Sequence, residues 1–253
     1  DERLQNGMRR LYEIFQDAPT LGSLINPSAP ENRLDTATFS YLEPLLVKAL
    51  SDGKDVEVRE RGIAAKGIAR AAEMLSEQYT LVSTNVPYLG RGNQSGGMKS
   101  FVDENYPRSR NDIATVFIKR CIEISKSGGT SSLVVPQKWL FLVTYSDFRE
   151  DVLNSGSWDF VARLGTSAFQ TPMWDFNVML FSISSSSSQE DDGFVSFEAS
   201  NPDSITGKKE RLKSSEVFES TQRKQLKNTD KRVILDELGD EPLLAQKAES
   251  HEG

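Results

Sequence analysis

The chain has 253 residues and a formal net charge of −7, with a single cysteine, Cys121, and a single histidine, His251; its isoelectric point lies near 5.0. That length buries a large core in one domain, or in one domain with a tail, and so few thiols and imidazoles exclude a disulfide framework, a zinc cluster and histidine-dependent triads. No run of about 18 apolar residues is present, so nothing is expected to span a membrane, and the acidic N-terminus lacks a signal-peptide pattern.

Leu4, Met8, Leu11, Ile14 and Phe15 recur at helical spacing and predict a helix over residues 1–17 that buries one face. Pro19 and Gly22 are expected to end it, and residues 21–25 read as a strand edge before a turn at 27–30. Further helices are expected over 41–50 and 58–77, the second with Ile63, Ala64, Ile68, Ala71, Ala72 and Leu75 on its apolar side. Residues 80–84 read as a strand that delivers Asn85.

After a glycine-rich loop over 89–97, Asn111 or Asp112 is placed to cap a helix whose apolar positions are Ile113, Val116, Phe117, Cys121 and Ile124. Cys121 thus reads as a buried structural thiol. Gly128 and Gly129 are expected to stop that helix before a strand over 130–136, apolar at Leu133, Val134 and Val135 as a strand covered on both faces requires. Trp139 is expected to pack under the sheet. A helix over 146–153 and strands over 160–164 and 177–183 follow. Strands alternating with helices give an α/β sheet whose ligands sit beyond the strands' carboxyl ends, and Asn85 lies at such an end. The polar stretch 184–193 reads as a Ser/acidic linker, and 194–253 as a charged tail, partly disordered after a strand at 194–198, or as the start of a further domain.

An acidic chain is a poor partner for a polyanion as a whole, but its charge is unevenly placed. Arg91, Lys99, Arg108 and Arg110 gather around the glycine-rich loop; the later basic residues Lys208, Lys209, Arg211, Lys213, Arg223, Lys224, Lys227, Lys231 and Arg232 alternate with acids and read as solvated surface. Between strand and loop stands Asn85-Val86-Pro87-Tyr88. On residue types alone it is also an ordinary strand-to-loop turn, with Pro87 holding Val86 extended.

This tetrapeptide resembles the Asn-Pro-Pro-Tyr signature of N6-adenine DNA methyltransferases. Asn105-Tyr106-Pro107, Asp112-Ile113-Ala114, Phe117-Ile118-Lys119-Arg120-Cys121, Ser127-Gly128-Gly129 and Val134-Val135-Pro136-Gln137-Lys138-Trp139-Leu140 follow in the order of the restriction-modification and BREX phage-defence subgroup, and Leu21-Gly22-Ser23-Leu24-Ile25 resembles a segment upstream of the motif in that subgroup. The resemblance covers roughly residues 4–183. It implies a Rossmann-like, S-adenosylmethionine-dependent methyltransferase fold, incomplete because its first strands are missing, with residues 1–183 as the C-terminal portion of a catalytic domain.

The resemblance also implies roles. Asn85 and the carbonyl of Val86 would accept the two amine protons of a flipped adenine, Pro87 would stiffen the turn, and Tyr88 would stack on the ring with Phe169 on its other side. Val86 departs from the family's proline yet keeps the carbonyl. Ile113, Phe117 and Ser23 would contact S-adenosyl-L-methionine; no metal is called for. Implied partners are double-stranded DNA and an upstream polypeptide or domain carrying the rest of the cofactor site, in a bacterial or archaeal cytoplasm, and a fragment of this kind would bind donor weakly or not at all. Two alternatives stay open. Glutamine methyltransferases acting on release factors use a similar site, and a truncated sheet can survive as a non-catalytic interaction module.

Overall fold

A computed structural model describes residues 2–29, 56–170, 176–186, 193–201, 204–214 and 216–235. The helix expected over 41–50 lies outside these residues. The chain divides into two compact units: Asp1–Ser83 with Pro87–Ser131, and Thr84–Val86 with Ser132–Gly253. Six strands are hydrogen-bonded in the order β1-β2-β4-β3-β5-β6: β1 (Tyr79–Asn85), β2 (Ser125–Pro136), β3 (Ser157–Gly165), β4 (Val178–Ser184), β5 (Gly193–Glu198) and β6 (Phe218–Thr221). The α/β class expected from the sequence is thus present.

In the first unit, α1 (Glu2–Phe15) turns Leu11 and Phe15 onto Ile25, Ala69 and Ala72. The last two belong to α3 (Val56–Ser76), whose small side chains let the helices approach. Ile63, expected on the apolar side of α3, is instead 61% exposed, and Ala64 is exposed with it. Pro19 does not terminate a helix. It sits in the first turn of α2 (Ala18–Leu21), where its missing N–H costs nothing. Residues 22–24 are a 3-10 turn rather than a strand edge, because Gly22 takes φ +52 and Ile25 N–H reaches back to the Gly22 carbonyl. That turn sends neighbours into different clusters: Ile25 joins α1 and α3, while Leu24 joins α4 (Gly96–Asn105) and α5 (Ile113–Ile124) through Met98, Val102, Tyr106, Ile113 and Val116.

Gly128 and Gly129 do not stop α5. The helix closes at Ile124, and both glycines lie inside β2. Gly128 takes φ +74, and a Cβ on Gly129 would come within 2.7 Å of the Tyr79 carbonyl oxygen, so close strand approach explains the pair. Tyr79 lies against Gly129 and Val86 bonds to Val134, so β1 and β2 advance in the same direction.

In the second unit, β3 runs antiparallel to β4 and parallel to β5, and β5 antiparallel to β6. Its core is aromatic. Trp139 meets Phe148, Trp158 and Phe181 edge-on at 5.3, 5.8 and 5.5 Å between ring centroids, as the quadrupoles of such rings prefer. Arg149 in α6 (Ser146–Leu153) is fully buried and donates to the carbonyls of Trp139, Leu142, Asp230 and Lys231. The charged stretch after β5 is more ordered than its composition predicts: α7 (Ile205–Ser214), β6 and α8 (Gln222–Leu226) all form there. Buried glutamines hold it. Gln222 accepts from Trp158 N–H at 2.8 Å and donates to the carbonyls of Leu153 and Gly156.

Candidate functional site

Asn85 is the last residue of β1 and is exposed, while Val86 after it is 3% exposed. The interior position explains an apolar residue there. Val86 N–H donates to the Val134 carbonyl at 3.3 Å, a bond that proline at this place is unable to make. The departure from the family pattern therefore exchanges ring rigidity for a strand hydrogen bond.

In the first unit the chain resumes with exposed Pro87 and half-buried Tyr88. Burial, with a smaller contribution from the charge of Asp112, pushes the Tyr88 phenol up to about 12, so it stays neutral at physiological pH. Asp112 is the brace of this loop. Its Oδ1 accepts from Leu89 N–H at 3.2 Å and from Ala114 N–H at 3.0 Å, capping α5 and holding the residue after Tyr88 with the same oxygen. Ile113 N–H donates to the Leu89 carbonyl, and buried Gln94 donates to the carbonyls of Leu89 and Arg110. The glycine-rich stretch is therefore not slack: 91–93 form a 3-10 turn, and Ser95 caps α4 by accepting from Met98 N–H.

Ile113 and Phe117 lie one turn apart on α5, and Ser23 meets that helix through its backbone carbonyl. Ile113 is 3% exposed inside the cluster with Leu24 and Met98, and Phe117 packs against that cluster with its ring partly exposed. Ser23 is exposed, and its carbonyl accepts from Arg120 Nε at 3.1 Å. Arg120 is buried and also donates to the carbonyls of Ile25 and Leu75, tying segment 21–25 and the end of α3 to α5. Neither Arg120 nor the loop-bracing role of Asp112 is legible from residue type. An arginine within an apolar helix seam is the signal that was available for the first.

Phe169, in the second unit, is 41% exposed and so is no core aromatic. It follows Ser167, whose φ of +56 marks a turn. Residues 171–174, which follow shortly after it, lie outside the described stretches. Of the basic residues near the loop, Arg91 and Arg110 both pair with Asp103, at 2.5 and 3.4 Å. The Arg91 hydrogen bond holds the Asp103 carboxyl below its ordinary range. Lys208 corrects the solvated reading of the later cluster: it is 3% exposed, and its Nζ donates to the Ser200 carbonyl. Cys121 is buried as expected, which pushes its thiol up to about 12. Among the described residues no helix is long and apolar enough to cross a membrane.

A model of the family described as Eco57I restriction-modification methylase matches residues 31–169. The chain is 28% identical over 162 residues to the adenine-specific methyltransferase BrxX of Escherichia coli O9:H4 (strain HS), covering 64% of this chain and 13% of that protein. It is 34% identical over 107 residues to the adenine-specific methyltransferase PglX of Lacticaseibacillus casei (strain Zhang), covering 42% of this chain and 9% of that protein. The chain thus spans a small part of the length of both relatives. Among solved structures, the type I restriction-modification system methyltransferase subunit of Streptococcus thermophilus aligns with 68% of this chain and 45% of its own at 14% identity and a TM-score of 0.43. The DrdV–DNA complex aligns with 72% of this chain and 21% of its own at 13% identity and a TM-score of 0.48.

Proposed function

We propose, because this chain belongs to the Eco57I restriction-modification methylase family, that it forms the target-base half of an enzyme that methylates the N6 amine of adenine in DNA. The observation that carries the reading is exposed Asn85 at the carboxyl end of β1, followed directly by the buried, strand-bonded Val86.

The chemistry explains these residue types. The adenine amine is a weak nucleophile because its lone pair is delocalised into the ring. Asn85 Oδ1 accepts one amine proton and the Val86 carbonyl the other, which turns the lone pair toward the incoming methyl. Rate comes from positioning and fixed dipoles rather than from an acid or base. The methyl would come from the donor's sulfonium, which would keep the bonding electrons, and the part of Asn85 and Val86 is to hold the amine so that its lone pair faces that methyl. The neutral Tyr88 ring stacks on the extruded base, offsetting part of the few kcal/mol that unstacking costs with about 1–3 kcal/mol of stacking. The resemblance assigns Phe169 as the second ring for that base.

S-adenosylmethionine would supply the activated methyl. Residues of the first unit fit a nucleoside in part: Phe117 offers a partly exposed side chain and Ser23 is exposed, whereas Ile113 is buried in the cluster against which Phe117 packs. The remainder of the donor site belongs to an upstream polypeptide or domain.

Transfer of a tritiated methyl to unmethylated duplex DNA by the full-length protein tests the reading. Asn85→Ala is expected to abolish labelling while leaving donor affinity within a factor of about two. Near-normal turnover, or equal labelling of RNA or protein, would refute it.

A further inference from the structure

β2, whose Val134 carbonyl accepts from Val86 N–H, ends at Pro136 and runs straight into a 3-10 turn over Gln137–Leu140. Beyond that turn two adjacent apolar side chains stand in water: Leu142 is 50% exposed and Val143 57%. Asn85, Val86 and this tip all belong to the second unit. Gln137 N–H donates to the Asn177 carbonyl, so the close of β1, the close of β2 and the start of β4 share one end of the sheet. The short, wound connection keeps the tip within about 25 Å of Val86, less than one turn of a duplex, about 34 Å.

The tip is braced from behind. Leu142 N–H donates to the Lys138 carbonyl at 3.1 Å, and the Leu142 carbonyl accepts from Tyr145 N–H at 3.1 Å and from Arg149 Nη1 at 2.7 Å. The same buried guanidinium holds the Trp139 carbonyl at 2.6 Å, and Val233 N–H meets the Leu140 carbonyl at 3.0 Å. Trp139 and Leu140 before the tip and Tyr145 and Phe148 after it are buried, so the loop is anchored on both sides and turns Leu142 and Val143 outward. The apolar character continues along this end of the sheet: Phe169 and Phe176 flank the β3–β4 connection and are exposed too.

A purine swung out of a duplex leaves a gap one base thick, and water fills it poorly because the faces of the flanking bases are apolar. Proteins that open DNA at such a step fill it with wedges of Leu, Ile, Met or Phe. A wedge has to be apolar, to stand clear of the surface, and to be held beforehand so that insertion loses little further freedom. The Leu142–Val143 tip meets all three conditions. It is a protrusion two residues wide, which suits a base step better than the broad surface that a stable protein partner covers. We propose that the tip enters the duplex where the target adenine has left the stack and stabilises the extruded state. The inference rests on the proposed function, which requires an extruded base, and assigns what closes the gap behind it.

The test uses the full-length protein and a duplex bearing the site that it methylates in genomic DNA, beside the same duplex with the target adenine mispaired, whose extrusion costs least. Leu142→Ala with Val143→Ala is expected to slow methyl transfer to the matched duplex about tenfold and to the mispaired duplex less than about twofold, at an unchanged melting temperature. The fluorescence of 2-aminopurine at the target position, which rises when the base leaves the stack, is expected to rise about fivefold less with that variant, and Leu142→Met with Val143→Ile to restore both signals. Equal transfer to the matched duplex by variant and unaltered protein overturns the wedge alone. So does an equal loss on both duplexes, or a changed oligomeric state of the variant, either of which marks the tip as a contact for protein. An unaltered protein that methylates no adenine in genomic DNA refutes the methylation reading itself, and the wedge falls with it.

Discussion

At the scale of single residues, the Asn85-Val86-Pro87-Tyr88 elbow is held at Val86 by its bond to Val134 and just beyond Tyr88, at Leu89, by Asp112, with Pro87 exposed and Tyr88 half-buried between them. Val86→Pro would restore the family's residue but remove the bond to Val134, so a loss of about 1 kcal/mol in urea unfolding is expected, and no loss would show that the bond contributes nothing. Asp112→Ala removes both the cap of α5 and the hold on Leu89, for an expected cost of about 1–2 kcal/mol. The Tyr88 phenol titrates higher in the folded chain, about 12, than its ordinary value of 10.0, so the folded state favours its protonated form. Its contribution to stability is complete below pH 10.0 and is lost as pH rises through about 12. Urea unfolding against pH should therefore show an alkaline decline that is shallower in Tyr88→Phe, and identical slopes would contradict the burial of the phenol. The residue types of the elbow were readable in the sequence, whereas the exposure of Asn85 beside the buried Val86 came from the structure. Asp112 was readable as a cap only, since its second bond, to Leu89, spans 23 residues.

At the scale of elements, periodicity located the helices and strands and failed where backbone conformation or buried charge decided. Gly22 converts an expected strand edge into a 3-10 turn through a positive φ, and Gly128 and Gly129 serve strand packing rather than a helix stop. A hydropathy pattern contains neither fact. Two arginines do work usually assigned to apolar side chains. Arg120 satisfies three carbonyls from two separate segments of the first unit, and Arg149 gathers those of residues 139, 142, 230 and 231 in the second. Burial pulls the Arg149 guanidinium below its ordinary pKa. Arg120→Met leaves three carbonyls without this donor and is expected to cost at least about 3 kcal/mol in denaturant unfolding, with Arg120→Lys recovering only part because one amine lacks the guanidinium's fork. A cost under about 1 kcal/mol would show that these carbonyls find water instead.

At the scale of the molecule, the α/β class followed from alternating strands and helices, whereas the order after β5 did not, because that stretch is held by amides rather than by apolar density. Gln222 alone joins the Trp158 backbone to the carbonyls of Leu153 and Gly156. Gln222→Ala is accordingly expected to cost about 2–4 kcal/mol and to release the Trp158 amide to hydrogen exchange, and retained protection would contradict that role. The proposed role of the exposed end of β1 is to present an adenine for methylation. It is tested most directly by nucleoside mass spectrometry of DNA exposed to the full-length protein and S-adenosylmethionine. N6-methyladenine is expected with the natural sequence and absent with Asn85→Ala; its absence from both, or an equal yield from both, would contradict the account.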